Sequence, residues 1–219
     1  MITQVGNGTD WKLISSLIKA VAEEATFEVD NEGLTFRAMD PSHVALLDVK
    51  WPSGAFEKFD MGTDKKFTIR IADFDKIIKL AGKNDKVLIK TEGDMLKLEF
   101  NNGFKREFQL HLIEATHSPT PLPKLSFTNK FTLDLKTFNS ILGDIAVISE
   151  HLLIMADKEQ NTLAFNGKSD TGIADIPLKA GDFSELELKE GSKSNYKLDF
   201  IQSFTTSPKD AEKITVQFA

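Results

Sequence analysis

Four times along this chain a short segment with helically spaced apolar residues is followed by alternating, strand-like sequence. That order constrains the fold more than any single motif. Trp11, Ile14, Leu17, Ile18 and Val21 form the apolar stripe of a first amphipathic helix. Phe74, Ile77, Ile78 and Ala81 form a second, ending near Gly82, and Phe138, Ile141, Leu142 and Ile145 a third. Phe200, Ile201 and Phe204 make a shorter fourth, stopped by Pro208. The first helix leads into ATFEVDNEGLTFRAM, a hairpin about Asn31, Glu32 and Gly33, and the second into KVLIKTEGDMLKLEF, which turns at Glu92, Gly93 and Asp94. HLLIMADKEQNTLAFNG follows the third with a longer polar turn. The first and third units each continue to a further strand, VALLDVKW and TGIADIPLKA, so the chain is an internal repeat.

Between the halves lies EATHSPTPLPKLSF, whose prolines at 119, 121 and 123 exclude a central strand and predict an extended connector. The expected organisation is α+β: a domain over 1–115, a connector over 116–128 and a similar domain over 129–219, each an antiparallel sheet with two helices on one face. At 219 residues and 41% hydrophobic, the chain can bury such cores. After EKITVQFA only one strand follows the fourth helix, so the second domain is expected to be incomplete at its end. The N-terminus has no basic stretch followed by an apolar core, and no apolar run reaches about 18 residues, so a soluble cytoplasmic protein without a membrane partner is expected.

Cysteine is absent, which removes thiolate metal sites and cysteine nucleophiles. The histidines at 43, 111, 117 and 151 match no metal spacing, and GNG at 6–8 lacks the rest of a phosphate loop, so neither metal nor cofactor is called for. Ser42 and His43 are adjacent inside FRAMDPSHVALLDVKWP, where Asp-Pro-Ser favours a turn over a hydrolase site. No catalysis is expected.

Two surfaces remain. Lys12 and Lys19 share the polar face of the first helix, and Lys76, Lys79 and Lys83 that of the second. A lysine face is ordinarily just a solvated one, but two such helices over one sheet would form a basic strip suited to phosphates, within a protein of net charge −6. The corresponding positions of the third and fourth helices, among them Asn139, Gly143, Thr205 and Thr206, are not basic, so any attraction is lopsided. The second surface is a pair of strand edges, REFQLHL at 106–112 with Phe108, Leu110 and Leu112, and TGIADIPLKA at 171–180 with Ile173, Ile176 and Leu178. Pro177 suits an edge, and two free edges are what a head-to-tail ring needs, although ordinary protected edges read the same way.

GLTFRAMDPSHVALLDVKWP (33–52), DKIIKLAGKNDKVLIK (75–90), LGDIAVISEHLLIMA (142–156) and KSNYKLDFIQSFTT (193–206) together make the whole chain resemble the sliding clamps called proliferating cell nuclear antigen, in particular the archaeal ones. The resemblance implies a trimeric ring around duplex DNA, bound without regard to sequence, with Lys12, Lys19, Lys76, Lys79 and Lys83 toward the phosphates. It also implies nucleoid association, delivery by a clamp loader, and recruitment of DNA polymerase, flap endonuclease and DNA ligase. Those partners would insert short peptide motifs into a pocket framed by Met39, His43, Val44, Leu46, Leu122 and Pro123. One wall of that pocket, and a final hairpin, would come from sequence beyond Ala219. The neutral residues on helices three and four leave open a heterotrimer serving mainly as a repair or ligation scaffold.

Overall fold

The computed structural model describes residues 2–5, 8–63, 65–116, 120–206, 208 and 211–219, with backbone alone at 2, 4 and 5. His117 and Pro119 of the expected connector, and Gly6 and Asn7 of the GNG stretch, lie outside these residues. The chain divides into two units, Met1–Pro121 and Leu122–Ala219.

In the first unit, β1 (Ile2–Val5) precedes α1 (Thr9–Lys19), followed by β2 (Glu24–Asp30), β3 (Gly33–Met39), β4 (Leu46–Pro52) and β5 (Lys58–Asp60). Then β6 (Lys66–Arg70) runs directly into α2 (Ile71–Ile78), and β7 (Lys86–Glu92), β8 (Met95–Asn101) and β9 (Lys105–His111) close the unit. The antiparallel strands make two sheets, ordered β5-β1-β7-β8-β9 and β4-β3-β2-β6. The single sheet expected from the sequence is thus divided, because β6 pairs with β2 rather than with β7.

Strand alternation places Ala25, Phe27 and Val29 of β2, and Leu96, Leu98 and Phe100 of β8, in one core with Trp11, Ile14 and Ile18 of α1 and Ile71, Phe74 and Ile78 of α2. Trp11 is the centre of that packing, edge-on to Trp51 at 4.7 Å, Phe74 at 5.6 Å and Phe27 at 6.1 Å. Gly33, at φ 146°, brings the start of β3 against the end of β4, where a Cβ would lie 2.1 Å from the Trp51 carbonyl oxygen.

The second unit carries β10 (Asn129–Asp134), α3 (Leu135–Ala146), β11 (His151–Asp157), β12 (Thr162–Ser169), β13 (Gly172–Lys179), β14 (Glu185–Leu188), β15 (Ser192–Lys197), α4 (Leu198–Thr206) and β16 (Lys213–Phe218). Its sheets are β14-β10-β16 and β13-β12-β11-β15. They repeat β5-β1-β7 and β4-β3-β2-β6 strand for strand. Asp134 caps α3, accepting the Thr137 N–H at 3.0 Å. Phe131, Phe138, Phe165 and Phe218 fill this unit's core.

Candidate nucleic-acid interface and docking surface

Of the five lysines expected on the first unit's helices, Lys12, Lys19, Lys76 and Lys79 are engaged within the protein. Asp75, on α2, is buried, and its Oδ2 accepts from Lys79 Nζ at 2.7 Å and from Lys19 Nζ of α1 at 3.1 Å, while Oδ1 accepts the Ser15 hydroxyl at 3.0 Å. Burial alone would raise this carboxyl's pKa; Lys79, Lys19 and Ser15 outweigh it and hold the pKa below its ordinary value. Lys76 pairs with Asp73 at 3.0 Å one turn away. Lys12 donates to the Ala81 carbonyl just beyond α2. Lys83 lies past the end of α2 rather than on its polar face, because the helix stops at Ile78, and among the described residues it has no ion pair.

The loop after α2 is tied to the edge strand β9. Buried Asp85 accepts the Gly82 N–H and the Arg106 guanidinium. Burial pushes its pKa up, but the Gly82 N–H, Arg106 and the nearby Lys12 charge bring it below the ordinary value. Arg106 also lies over the Phe100 ring, 5.4 Å from its centroid.

At the matching positions the helices of the second unit offer no such charge, and α3 has Lys136 alone, in its first turn. Aligned on the buried pair Trp11 and Phe138, and on the first residues of α2 and α4, Lys12 corresponds to Asn139 and Lys19 to Ala146. Ser15 corresponds to Leu142, Asp75 to Gln202 and Lys79 to Thr206. Asn139 Nδ2 donates to the Thr205 carbonyl at 3.0 Å, joining the two helices with neutral groups.

Met39, His43, Val44 and Leu46 come together on the loop between β3 and β4, where Met39 pairs with Leu46. The loop is built around Asp40, which the sequence pattern marks only as a turn former. Its buried carboxylate accepts the N–H groups of Ser42 (2.8 Å), Val44 (2.8 Å) and Ala45 (2.7 Å). Burial would raise Asp40's pKa, and these three N–H groups reverse that to leave it lowered. The consequence is presentation: His43 is held at φ 56° with Nδ1 3.2 Å from Met39 Sδ, and Val44 is 63% exposed. Ser42 and His43 make no hydrogen bond to each other among the described residues, in keeping with a turn rather than a reaction centre.

Ile113, Thr116 and Thr120, after β9, are each tied to a strand of this unit's second sheet. Ile113 N–H donates to the Thr68 carbonyl at 3.0 Å, the Thr116 hydroxyl to Glu24 at 2.6 Å, and Arg37 Nη1 to the Thr120 carbonyl at 3.5 Å. Thr120 thus lies against Arg37, two residues from Met39 in the sequence. Leu122 and Pro123 belong to the second unit, where Leu122, Leu125 and Phe127 are exposed.

Both expected edges are edges. β9 ends the five-stranded sheet and β13 ends its four-stranded sheet. Phe108, Leu110 and Leu112 turn toward the first core, and Ile176 and Leu178 toward the second. Ile173 does not join them: at an odd spacing from Ile176 it lies on the opposite face of the strand, 70% exposed.

The N-terminal domain of proliferating cell nuclear antigen, as a family model, matches residues 2–116. A DNA polymerase sliding clamp of Cenarchaeum symbiosum is 39% identical across 95% of this chain and 88% of its own length. The chain belongs to the proliferating cell nuclear antigen family of sliding clamps. A second sliding clamp, from Nitrosopumilus maritimus, is 40% identical across 88% of this chain and 77% of that protein.

The fold agrees with this family. A solved clamp from Thermococcus kodakaraensis superposes with a TM-score of 0.92 at 23% identity, covering all of this chain and 89% of the other. A structure of the C-terminal region of FEN-1 bound to A. fulgidus clamp gives 0.90 at 21%, over all of this chain and 87% of that one. This chain is a DNA polymerase sliding clamp, a processivity factor and not an enzyme. Among the described residues no helix is long and apolar enough to cross a membrane.

Proposed function

We propose that this clamp closes as a trimeric ring around duplex DNA, β9 of each subunit pairing with β13 of the next, with Lys12, Lys19, Lys76, Lys79 and Lys83 toward the phosphates. The observation that carries this reading is an edge strand in each unit, β9 at the end of one sheet and β13 at the end of another. Two different edges on one chain make a heterologous, head-to-tail contact, which closes into a ring when the rotation permits. The lysines would attract the backbone without reading sequence, while the net charge of −6 discourages adhesion elsewhere.

The loop Met39–Leu46 would receive short motifs carried by DNA polymerase, flap endonuclease and DNA ligase, and a clamp loader would open the ring. A rigid apolar loop held by Asp40 suits an anchor-in-pocket mode of recognition. The A. fulgidus clamp bound to FEN-1 lends support by similarity.

The second reading, one subunit of a heterotrimeric repair and ligation scaffold, is favoured by the neutral faces of α3 and α4 and by a solved complex of PCNA2 with PCNA3 from Sulfolobus tokodaii, similar at 24% identity and a TM-score of 0.89 over all of this chain and 89% of that one. Native mass spectrometry of the purified natural gene product separates the two. A homotrimer is expected; a monomer that assembles only with sister subunits would replace the first reading with the second.

A further inference from the structure

We propose that Asp75 moderates this clamp's grip on DNA by holding Lys19 and Lys79, from two different helices, on a single carboxylate. The inference rests on the proposal above that α1 and α2 face the duplex. Both ammonium groups bind the same oxygen, Oδ2, at 3.1 and 2.7 Å, and the second oxygen is fixed by the Ser15 hydroxyl. The carboxylate lies beneath the surface at 3% side-chain exposure, whereas the two lysines are 51% and 60% exposed. A phosphate approaching this spot meets two positive charges with a negative one immediately behind them. Either lysine must share or break its bond to Asp75 to make a phosphate contact of its own.

The second unit provides the internal control. Its equivalent helices pack together with Leu142, Ala146, Gln202 and Thr206 where the first unit has Ser15, Lys19, Asp75 and Lys79. A helix pair of this kind therefore needs no buried carboxylate to hold it. Burying one carries a desolvation cost, which Lys79, Lys19 and Ser15 outweigh only by committing both ammonium groups to the carboxylate. The arrangement makes sense for a protein that must move along its ligand. Each lysine that neutralises a phosphate adds a released counterion and a steeper salt dependence, which is the signature of tight adhesion. Asp75 keeps two lysines at the surface while reducing their net charge to that of one. Lys76 is paired with Asp73 and Lys12 donates to the neutral Ala81 carbonyl, which leaves Lys83 as the member of the strip with neither an ion pair nor a side-chain hydrogen bond among the described residues.

The test is fluorescence anisotropy of a short labelled duplex, titrated with the full chain over a series of salt concentrations. D75N, with wild-type melting and assembly, should bind more tightly and with a steeper salt dependence: over a fourfold change in salt, each additional phosphate neutralised should change the affinity by a further factor of roughly three. Unchanged or weaker binding by such a D75N protein overturns the proposal. If D75N does not fold, substitutions of exposed lysines carry the test: K83Q should lose more DNA affinity than K19Q or K79Q, and an equal or smaller loss overturns it. If K19Q, K79Q and K83Q all bind DNA as the wild type does, it is the helix assignment beneath the proposal that fails.

Discussion

Asp40 shows how much of this protein's surface chemistry depends on one buried side chain. Three N–H groups converge on its carboxylate, and half-buried Met39 and exposed His43 and Val44 take their positions from that loop. Asp40→Ala would leave those donors unpaired, and we expect a loss of about 2 kcal/mol in stability. We also expect a larger fall in affinity for a partner peptide than Val44→Ala produces. Calorimetric binding of a flap-endonuclease tail peptide beside a denaturant titration checks both. Folding lowers the pKa of Asp40, Asp75 and Asp85, so the folded state binds protons less readily than the unfolded one. Their contribution is fully present above the ordinary carboxylate range, and is lost as pH falls below about 4 and through the folded values. Asp40→Asn should flatten that acid limb of the stability curve. None of this is legible in the sequence, where Asp40 is one acid among many. Only the convergence of N–H groups from residues 42, 44 and 45 reveals its role.

At the scale of elements, the four helices and their hairpins can be read from periodicity, and Trp11, Phe74 and Phe138 lie in the cores where their spacing puts them. On α4, however, Leu198 and Ile201 join the core while Phe200 and Phe204 of the expected stripe stack on each other outside it. The strands that run straight into helices cannot. β6 and β10 pass into α2 and α3 at Arg70–Ile71 and Asp134–Leu135 with no loop between, and only the capping Asp134 marks either change of period. With those strands hidden, the pattern implies one sheet per domain where there are two. Ile173 and Ile176 offer a test of what an edge strand does with its two faces. Ile176→Ala, which removes packing from the second core, should destabilise that unit by about 1–3 kcal/mol. Ile173→Lys should leave stability within about 0.5 kcal/mol, yet weaken subunit association if β13 is the proposed contact. Thermal melts and sedimentation of the two variants distinguish packing from assembly.

For the whole molecule, the strand order β14-β10-β16 and β13-β12-β11-β15 repeating β5-β1-β7 and β4-β3-β2-β6 shows one architectural unit used twice with different surfaces. The first copy carries Lys12, Lys19, Lys76 and Lys79 on its helices, and the second carries amides and hydroxyls at most of the matching places. A clamp with this division would hold DNA by encirclement more than by contact, each subunit contributing a few restrained charges. The direct measurement is retention on DNA whose ends can be opened. After loading onto a nicked circular duplex with clamp loader and ATP, the protein should co-elute with the circle through gel filtration and be released when a restriction enzyme linearises it. Equal retention on the linear form would mean that the protein adheres to DNA rather than surrounding it, and would contradict the account.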